Sequence, residues 1–207
     1  MANTWTPSDK QIKSAPEHIA WAYAALLAAA MQMAEGHSAP INHQVQEAFL
    51  VHVRNLSEFF FRGVDEFKKD PSALPKRADD NVYAVDLCSS VKWSEAPFHR
   101  DQKLLRAINK TLSHITYSRD LSPGNSSKID LAFDGSLHAH GTVRLLRKTW
   151  IGFMESLRHE FRQDLLGWLN QHADGMKVPL SDFDQEFDRL VRRWPHWILN
   201  QTPDGPL

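Results

Sequence analysis

The chain has 207 residues, 42% of them hydrophobic and 24% charged, which is typical of a globular protein rather than a disordered or fibrous one. Its formal net charge of −1 creates no general attraction for polyanions, so binding of nucleic acid would need a local basic patch. The single cysteine, Cys88, excludes an internal disulfide and suits a reducing compartment.

No segment of the sequence predicts a membrane span. The most apolar stretch, Ile19 to Met33, is shorter than the roughly 20 residues that a spanning helix needs. Glu17 and Glu35 flank it, and it lacks the basic flank of a signal peptide. We therefore expect a cytoplasmic protein without a membrane partner.

The first two predicted elements are long helices. Ser14 and Glu17 form a capping-box pattern, which predicts that a helix begins there and continues to Gly36. A second helix is predicted from about Asn42 to Arg62, because apolar residues recur in it at intervals of three and four.

The middle of the chain is less regular. Residues 81–93, NVYAVDLCSSVKW, are predicted to form a short helix or an irregular segment. A third long helix is predicted from about Phe98 to Thr116. A polar loop follows it, with a short extended piece at Ile129–Phe133.

Helical periodicity returns near Thr142. The pattern continues to Leu169 or breaks around Gly167. Ser181 is predicted to cap a last amphipathic helix within residues 181–194.

These elements predict one all-α domain over residues 1–207. We expect a single helical bundle of about five to seven helices. The structured core is predicted to cover about residues 14–194, with peripheral tails at 1–13 and 195–207.

Two apolar helical segments each carry a histidine close to an asparagine and a cation. The polar members are His52, Arg54 and Asn55 in the first segment, and Asn109, Lys110 and His114 in the second. Burying polar groups costs free energy unless they are paired. The sequence therefore predicts a shared polar site in which Asn109 and His114 meet His52, Arg54 or Asn55.

The second segment, INKTLSH, resembles the signature of the HEPN superfamily, which comprises helical-bundle proteins of bacterial defence and toxin–antitoxin systems. That signature is an arginine followed by a polar residue, often asparagine, with a histidine about four to six residues after the arginine. Asn109 and His114 match it, and HVRNLSEFF resembles the earlier helix of the same bundle. The similarity covers roughly residues 42–120 and implies a HEPN-like fold and a homodimer.

The sequence departs from the signature at Ile108, which occupies the position of the arginine. In catalytic members the histidine and arginine are implied to cleave RNA without a metal. Isoleucine cannot offset charge on a phosphorane, so we favour a non-catalytic interaction or regulatory module with a buried polar cluster. The alternative is a metal-independent endoribonuclease that uses His114 with a cation from Arg54. No cofactor is expected, and either RNA or a protein is a conceivable partner.

A second alternative is a helical bundle that binds a metal through histidines. His138 and His140 form a His-x-His pair that we expect to be exposed in a Gly/Ser-rich loop, and His52 and His114 are the other possible ligands. No recognised ligand spacing supports this alternative.

Two further features have simpler interpretations. Cys88 is predicted to be a small buried group. A basic helix edge, consisting of Arg144, Arg147, Lys148, Arg158 and Arg162, is predicted to be a solvated face rather than an RNA track, because acidic residues are interspersed in its later part.

The sequence also contains an apparent excess of large apolar side chains. Residues 57–61, SEFFF, together with Trp194 and Trp197, predict a hydrophobic surface that a second copy of the chain would cover.

Overall fold

The computed structural model describes residues 7–35, 39–61, 82–89 and 135–192, with the backbone alone described at 39–43 and 135–140. These residues form an all-α bundle, and no strand occurs among them. The described helices are α1 (Asp9–Glu35), α2 (Ala39–Phe61), α3 (Ala84–Leu87), α4 (Gly135–Ser156), α5 (His159–Gly175) and α6 (Phe183–Val191). The predicted helix at 98–116 and extended piece at 129–133 lie outside these ranges.

Helix α1 is the centre of the bundle. It packs against α2 and α5 most extensively and also contacts α4 and α6. Its small residues face these neighbours, and Ala20, Ala24 and Ala30 are almost completely inaccessible to solvent. Because alanine has only a methyl side chain, the backbones of neighbouring helices can approach α1 closely on more than one side. The alanine-rich sequence is therefore explained by packing.

The predicted start of α1 at Ser14 is wrong, because the helix already begins at Asp9. Ser8 and Gln11 form the capping pair: the Ser8 amide donates to Gln11 Oε1 at 2.9 Å, and the Gln11 amide donates to Ser8 Oγ at 3.4 Å. The predicted start at Ser14 would place Pro16 in the first turn, where proline is tolerated, but Pro16 lies inside the helix and is buried. Because proline has no amide hydrogen, this turn lacks one backbone hydrogen bond.

Helix α2 agrees with its prediction to within a few residues, and it supplies half of an aromatic core. Phe60 lies between Trp150 and Phe153 of α4, with ring centroids 6.5 and 5.5 Å away. Phe59 and Phe61 are also buried. The phenylalanines of SEFFF thus pack inside the protomer, so they give no support to a dimer, and Trp194 and Trp197 lie outside the described residues.

The segment containing α3 confirms the expectation of a short helix. It is joined to the end of α4 by an isolated antiparallel bridge between Cys88 and Leu157. The Ser89 amide donates to the Ser156 carbonyl, and the Arg158 amide donates to the Leu87 carbonyl, both at 3.0 Å. This long-range pairing requires extended backbone at Leu157 and Arg158, and it separates α4 from α5.

Both alternatives for this region are wrong, because the helix neither continues unbroken to Leu169 nor breaks around Gly167 but ends at Ser156. Gly167 lies inside α5, and a Cβ atom built on it would have no neighbour within 4 Å. The fold does not require a glycine there. The helix predicted from near Thr142 instead begins at Gly135, so His138 and His140 belong to α4 rather than to a loop.

The connection between α5 and α6 contains an unusual left-handed residue. Lys177 has a φ of 57°, a conformation that favours glycine. The Val178 amide donates to the Ala173 carbonyl at 2.8 Å, and the Lys177 amide donates to the Asp174 carbonyl at 3.0 Å, which is the Schellman pattern. Helix α6 then begins after Asp182. The predicted cap, Ser181, instead donates to the Asp182 carboxylate.

Within the described ranges, no helix has the length and hydrophobicity required to cross a membrane.

The close packing of α1 makes a direct prediction. Ala24→Leu should lower the free energy of unfolding by about 1–3 kcal/mol, because the larger side chain has no space at a fully buried position. The measurement is chemical denaturation. Ala48→Leu, at an exposed position of α2, is the matched control and should change stability by less than about 0.5 kcal/mol. Equal effects of the two substitutions would contradict this account of α1.

Candidate functional site

His52, a predicted site residue, is buried at the contact between α2 and α1. Its side chain is 8% exposed, and its ring meets Trp21 edge-on at 5.0 Å between centroids. Within the part of the chain that the structure describes, its Nδ1 atom is buried without a hydrogen-bond partner. Burial lowers the pKa of His52, because the charged imidazolium would lose its hydration. His52 is therefore held in its neutral form.

The other two predicted site residues of α2 are exposed to solvent. Arg54 forms an ion pair with Glu58, with 3.4 Å between Nε and Oε1, and both side chains are about half exposed. Arg54 lies two positions after His52, which corresponds to roughly 200° around a helix. Asn55 is also exposed. The polar side chains of α2 thus diverge instead of forming one cluster.

Asn109, Lys110 and His114 lie outside the described residues, as does Ile108. Their predicted meeting with His52, Arg54 or Asn55 therefore stays a prediction. What the described residues add is a buried imidazole nitrogen without a partner, which is the kind of group that a shared polar site would satisfy.

The metal-binding alternative gains no support from the described residues. No group of three or more histidine, cysteine, aspartate or glutamate side chains is arranged there to hold a metal. The backbone of His138 and His140 is helical, and their side chains are outside the description. The His52 ring contacts Trp21, which is not a metal ligand.

Two arginines of the predicted basic edge bind main-chain carbonyls. Arg158 donates through Nη2 to the Asp86 carbonyl at 2.6 Å. Arg162 donates through Nη2 to the Met154 carbonyl at 2.6 Å, in the last turn of α4. Cations stabilise the carbonyl end of a helix. These two arginines hold the α3 segment and the end of α4 in place.

The other arginines of that edge pair with carboxylates of α6. Arg147 contacts Asp184 through two atoms: its Nη2 lies 2.6 Å from Oδ2 and its Nε 2.5 Å from Oδ1. Arg144 Nη2 lies 3.1 and 3.2 Å from the two carboxylate oxygens of Asp188. These pairs connect two helices, a role that the prediction of a solvated face missed. The available signal was the spacing of Asp184 and Asp188, four residues apart on an amphipathic helix.

Arg147 is also connected to the core. It donates to the Tyr23 hydroxyl at 3.4 Å, and its guanidinium lies 5.0 Å from the centre of the Phe183 ring. Tyr23 stacks on Trp150 with 3.8 Å between ring centroids. Burial raises the pKa of Tyr23, and the Arg147 charge offsets this only in part. The hydroxyl therefore stays neutral and acts as a structural acceptor.

A groove lies between α4 and α6, beside these ion pairs. Its volume is about 320 Å³. We refer to it as the α4–α6 groove, and its lining residues are Val143, Arg144, Arg147, Lys148, Ile151, Asp184, Phe187 and Asp188. The floor is apolar and the rim is charged.

Cys88 is buried, as predicted. Burial raises the pKa of its thiol to about 12, an effect that Arg158 counteracts and Asp86 reinforces. Little thiolate is therefore expected near neutral pH, which favours the interpretation of Cys88 as a small buried group.

No protein family model, curated protein or solved structure matches the chain. The resemblance to the HEPN superfamily therefore rests on the motif residues alone.

The buried position of His52 predicts a dependence of stability on pH. The folded state lowers the pKa of His52, so the unfolded chain binds the proton more readily. The contribution of neutral His52 to stability is complete above the unfolded pKa of about 6.5 and decreases as the pH falls from there toward the lower folded pKa. We therefore expect the free energy of unfolding to decrease with falling pH in this range. His52→Gln should make this dependence on pH weaker, measured by urea denaturation between about pH 5 and 8.

His159 provides the matched control, because it is exposed on α5. His159→Gln should leave the slope as it is in the wild type. An unchanged slope in His52→Gln would contradict the assignment of this dependence to the buried imidazole.

Proposed function

We propose that the chain is a non-catalytic interaction module of the HEPN-like type that acts in the bacterial cytoplasm and binds a protein partner. In this proposal the buried His52 meets Asn109 and His114, as the sequence predicts, in a polar cluster that contributes to packing. The exposed charged surface of the bundle contacts the partner.

The divergence of His52 and Arg54 is the observation that favours this function. General acid–base cleavage of RNA needs the proton-transferring group and the cation at the same phosphate. His52 is buried against Trp21, whereas Arg54 lies in solvent and pairs with Glu58. Ile108 cannot supply the missing charge. Arg54 is therefore not positioned to act together with His52.

The ion pairs of the bundle favour the same conclusion. Arg144 and Arg147 are engaged by carboxylates of α6, and Arg158 and Arg162 by main-chain carbonyls. An RNA-binding surface needs cationic side chains that are available to the phosphate groups. Four of the five cations predicted to form the basic edge instead stabilise contacts between helices.

The first test is cleavage of RNA in the presence of a chelator. We expect no cleavage by the wild type, by His114→Ala or by Arg54→Ala. His114→Ala should be destabilised by about 1–3 kcal/mol, because it would leave a buried polar partner unsatisfied.

The controls are matched in chemistry. Arg189→Ala removes an exposed cation that pairs with Glu186 on its own helix, as Arg54 pairs with Glu58. His159→Ala removes an exposed histidine. RNA cleavage by the wild type and both controls, lost in folded His114→Ala and Arg54→Ala, would overturn the proposal and establish the endoribonuclease.

The proposal includes the homodimer that the resemblance implies. One chain has a mass of 23.7 kDa. Sedimentation velocity at tens of micromolar protein should therefore show a species of twice this mass. A single monomeric species across this range would contradict the dimer without affecting the argument against catalysis.

A further inference from the structure

The outer surface of α4 presents a stripe that α6 covers only in part. Arg144, Lys148 and Ile151 lie four and three residues apart, which places them on one face of the helix. Arg144 and Lys148 are exposed, and Ile151 is 54% exposed, although it is aliphatic. Helix α6 forms the other wall of the α4–α6 groove, so it covers the stripe from one side only.

The charges of the groove do not balance. Three cations of α4 and two carboxylates of α6 belong to its lining. Arg144 pairs with Asp188, and Arg147 pairs with Asp184. Lys148 has no acidic partner among the described residues, so its ammonium remains available to a carboxylate from another molecule.

The floor of the groove is apolar. Val143 is completely buried and Phe187 is 2% exposed, and the exposed Ile151 extends this surface toward the rim. A volume of about 320 Å³ lies at the lower end of the range for ligand pockets, and it suits one or two large side chains. Burying an apolar side chain here would remove nonpolar surface of both molecules from water, which favours association.

The contact between α6 and α4 shows which kind of helix packs against this surface of α4. It buries Phe183 and Phe187, and its two aspartates, one turn apart, reach the arginines of α4. Helices pack by fitting the side-chain ridges of one into the grooves of the other. A second helix with an apolar stripe and a flanking carboxylate would repeat this arrangement at Ile151 and Lys148.

The same carboxylates disfavour a nucleic acid. Asp184 has a side chain that is 65% exposed, and that of Asp188 is 35% exposed. Both lie at the rim of the groove, where they would repel phosphate groups. A peptide carboxylate can approach Lys148 singly, whereas an RNA backbone brings a series of phosphates past both aspartates.

We propose that the α4–α6 groove, with Lys148 and Ile151, binds an acidic amphipathic helix of a partner protein. This inference rests on the proposed function and specifies the chemistry of the partner. Lys148 pairs with a carboxylate of the partner helix, and Ile151 and the groove floor receive an apolar side chain.

The test uses a fluorescent synthetic helix that carries leucines along one stripe and glutamates along one side of it only, so that no glutamate row has to face Asp184 and Asp188. Fluorescence polarisation with the full chain measures binding. A second peptide, identical except for glutamine in place of glutamate, isolates the charge. We expect the glutamate peptide to bind about two- to fivefold more tightly, because only it can form an ion pair with Lys148.

Two pairs of variants locate the binding surface. Lys148→Glu should weaken binding about tenfold or more, whereas Lys13→Glu, the same charge reversal at an exposed position of α1, should change it by less than about twofold. Ile151→Ser should weaken binding by a similar factor. Leu166→Ser, which removes a 42% exposed leucine from α5, is its control.

Three results would overturn the proposal. They are absence of binding, equal binding of the two peptides, and equal effects of Lys148→Glu and Lys13→Glu. Binding of single-stranded RNA that depends on Lys148 and exceeds that of the peptide would assign the groove to nucleic acid instead. Failure here leaves the result of the RNA cleavage assay intact, whereas cleavage by the wild type would overturn the proposed function even if the peptide binds.

Discussion

The close packing of α1 against α2 and α5 is the constraint on which the rest of the bundle depends. The buried Ala20, Ala24 and Ala30 let the backbones of neighbouring helices come close to α1. Because these helices pack on the same central helix, their distances from one another are set by how closely each approaches α1. Trp150 and Phe60 fill the remaining space between α1, α2 and α4. In a closely packed core, a change in the volume of one side chain of α1 disturbs the packing of its neighbours.

Electrostatics has a positioning role at the surface of this bundle. The buried residues of α6 hold the helix by its apolar side, while Asp184 and Asp188 fix its orientation against Arg147 and Arg144. Half-exposed pairs of this kind contribute little free energy individually. Their effect is on geometry, because they hold the charged side chains at the rim of the α4–α6 groove in one arrangement. Lys148 is then the cation of the groove lining that remains available to a partner.

The all-α class and the second helix could be predicted because their apolar spacing is regular. The boundaries that failed depend on contacts that have no local signature. The separation of α4 from α5 is set by pairing of Leu157 with Cys88, far away in sequence, whereas Gly167, where one of the two alternatives placed a break, lies inside α5. Sequence also did not indicate which polar side chains of α2 are buried: His52 and Arg54 lie two positions apart, but the bundle buries only His52. The predicted meeting of Asn109 and His114 with α2 stays a prediction.

Cys88 gives the molecule an intrinsic reporter of its own local opening. It is the only thiol of the chain, and it lies on the segment that closes the junction of α4 and α5. A thiol reagent can react with it only when this segment separates from Leu157, so the labelling rate follows the population of the open form. The free energy of that local opening can therefore be compared with the free energy of global unfolding in the unmodified protein.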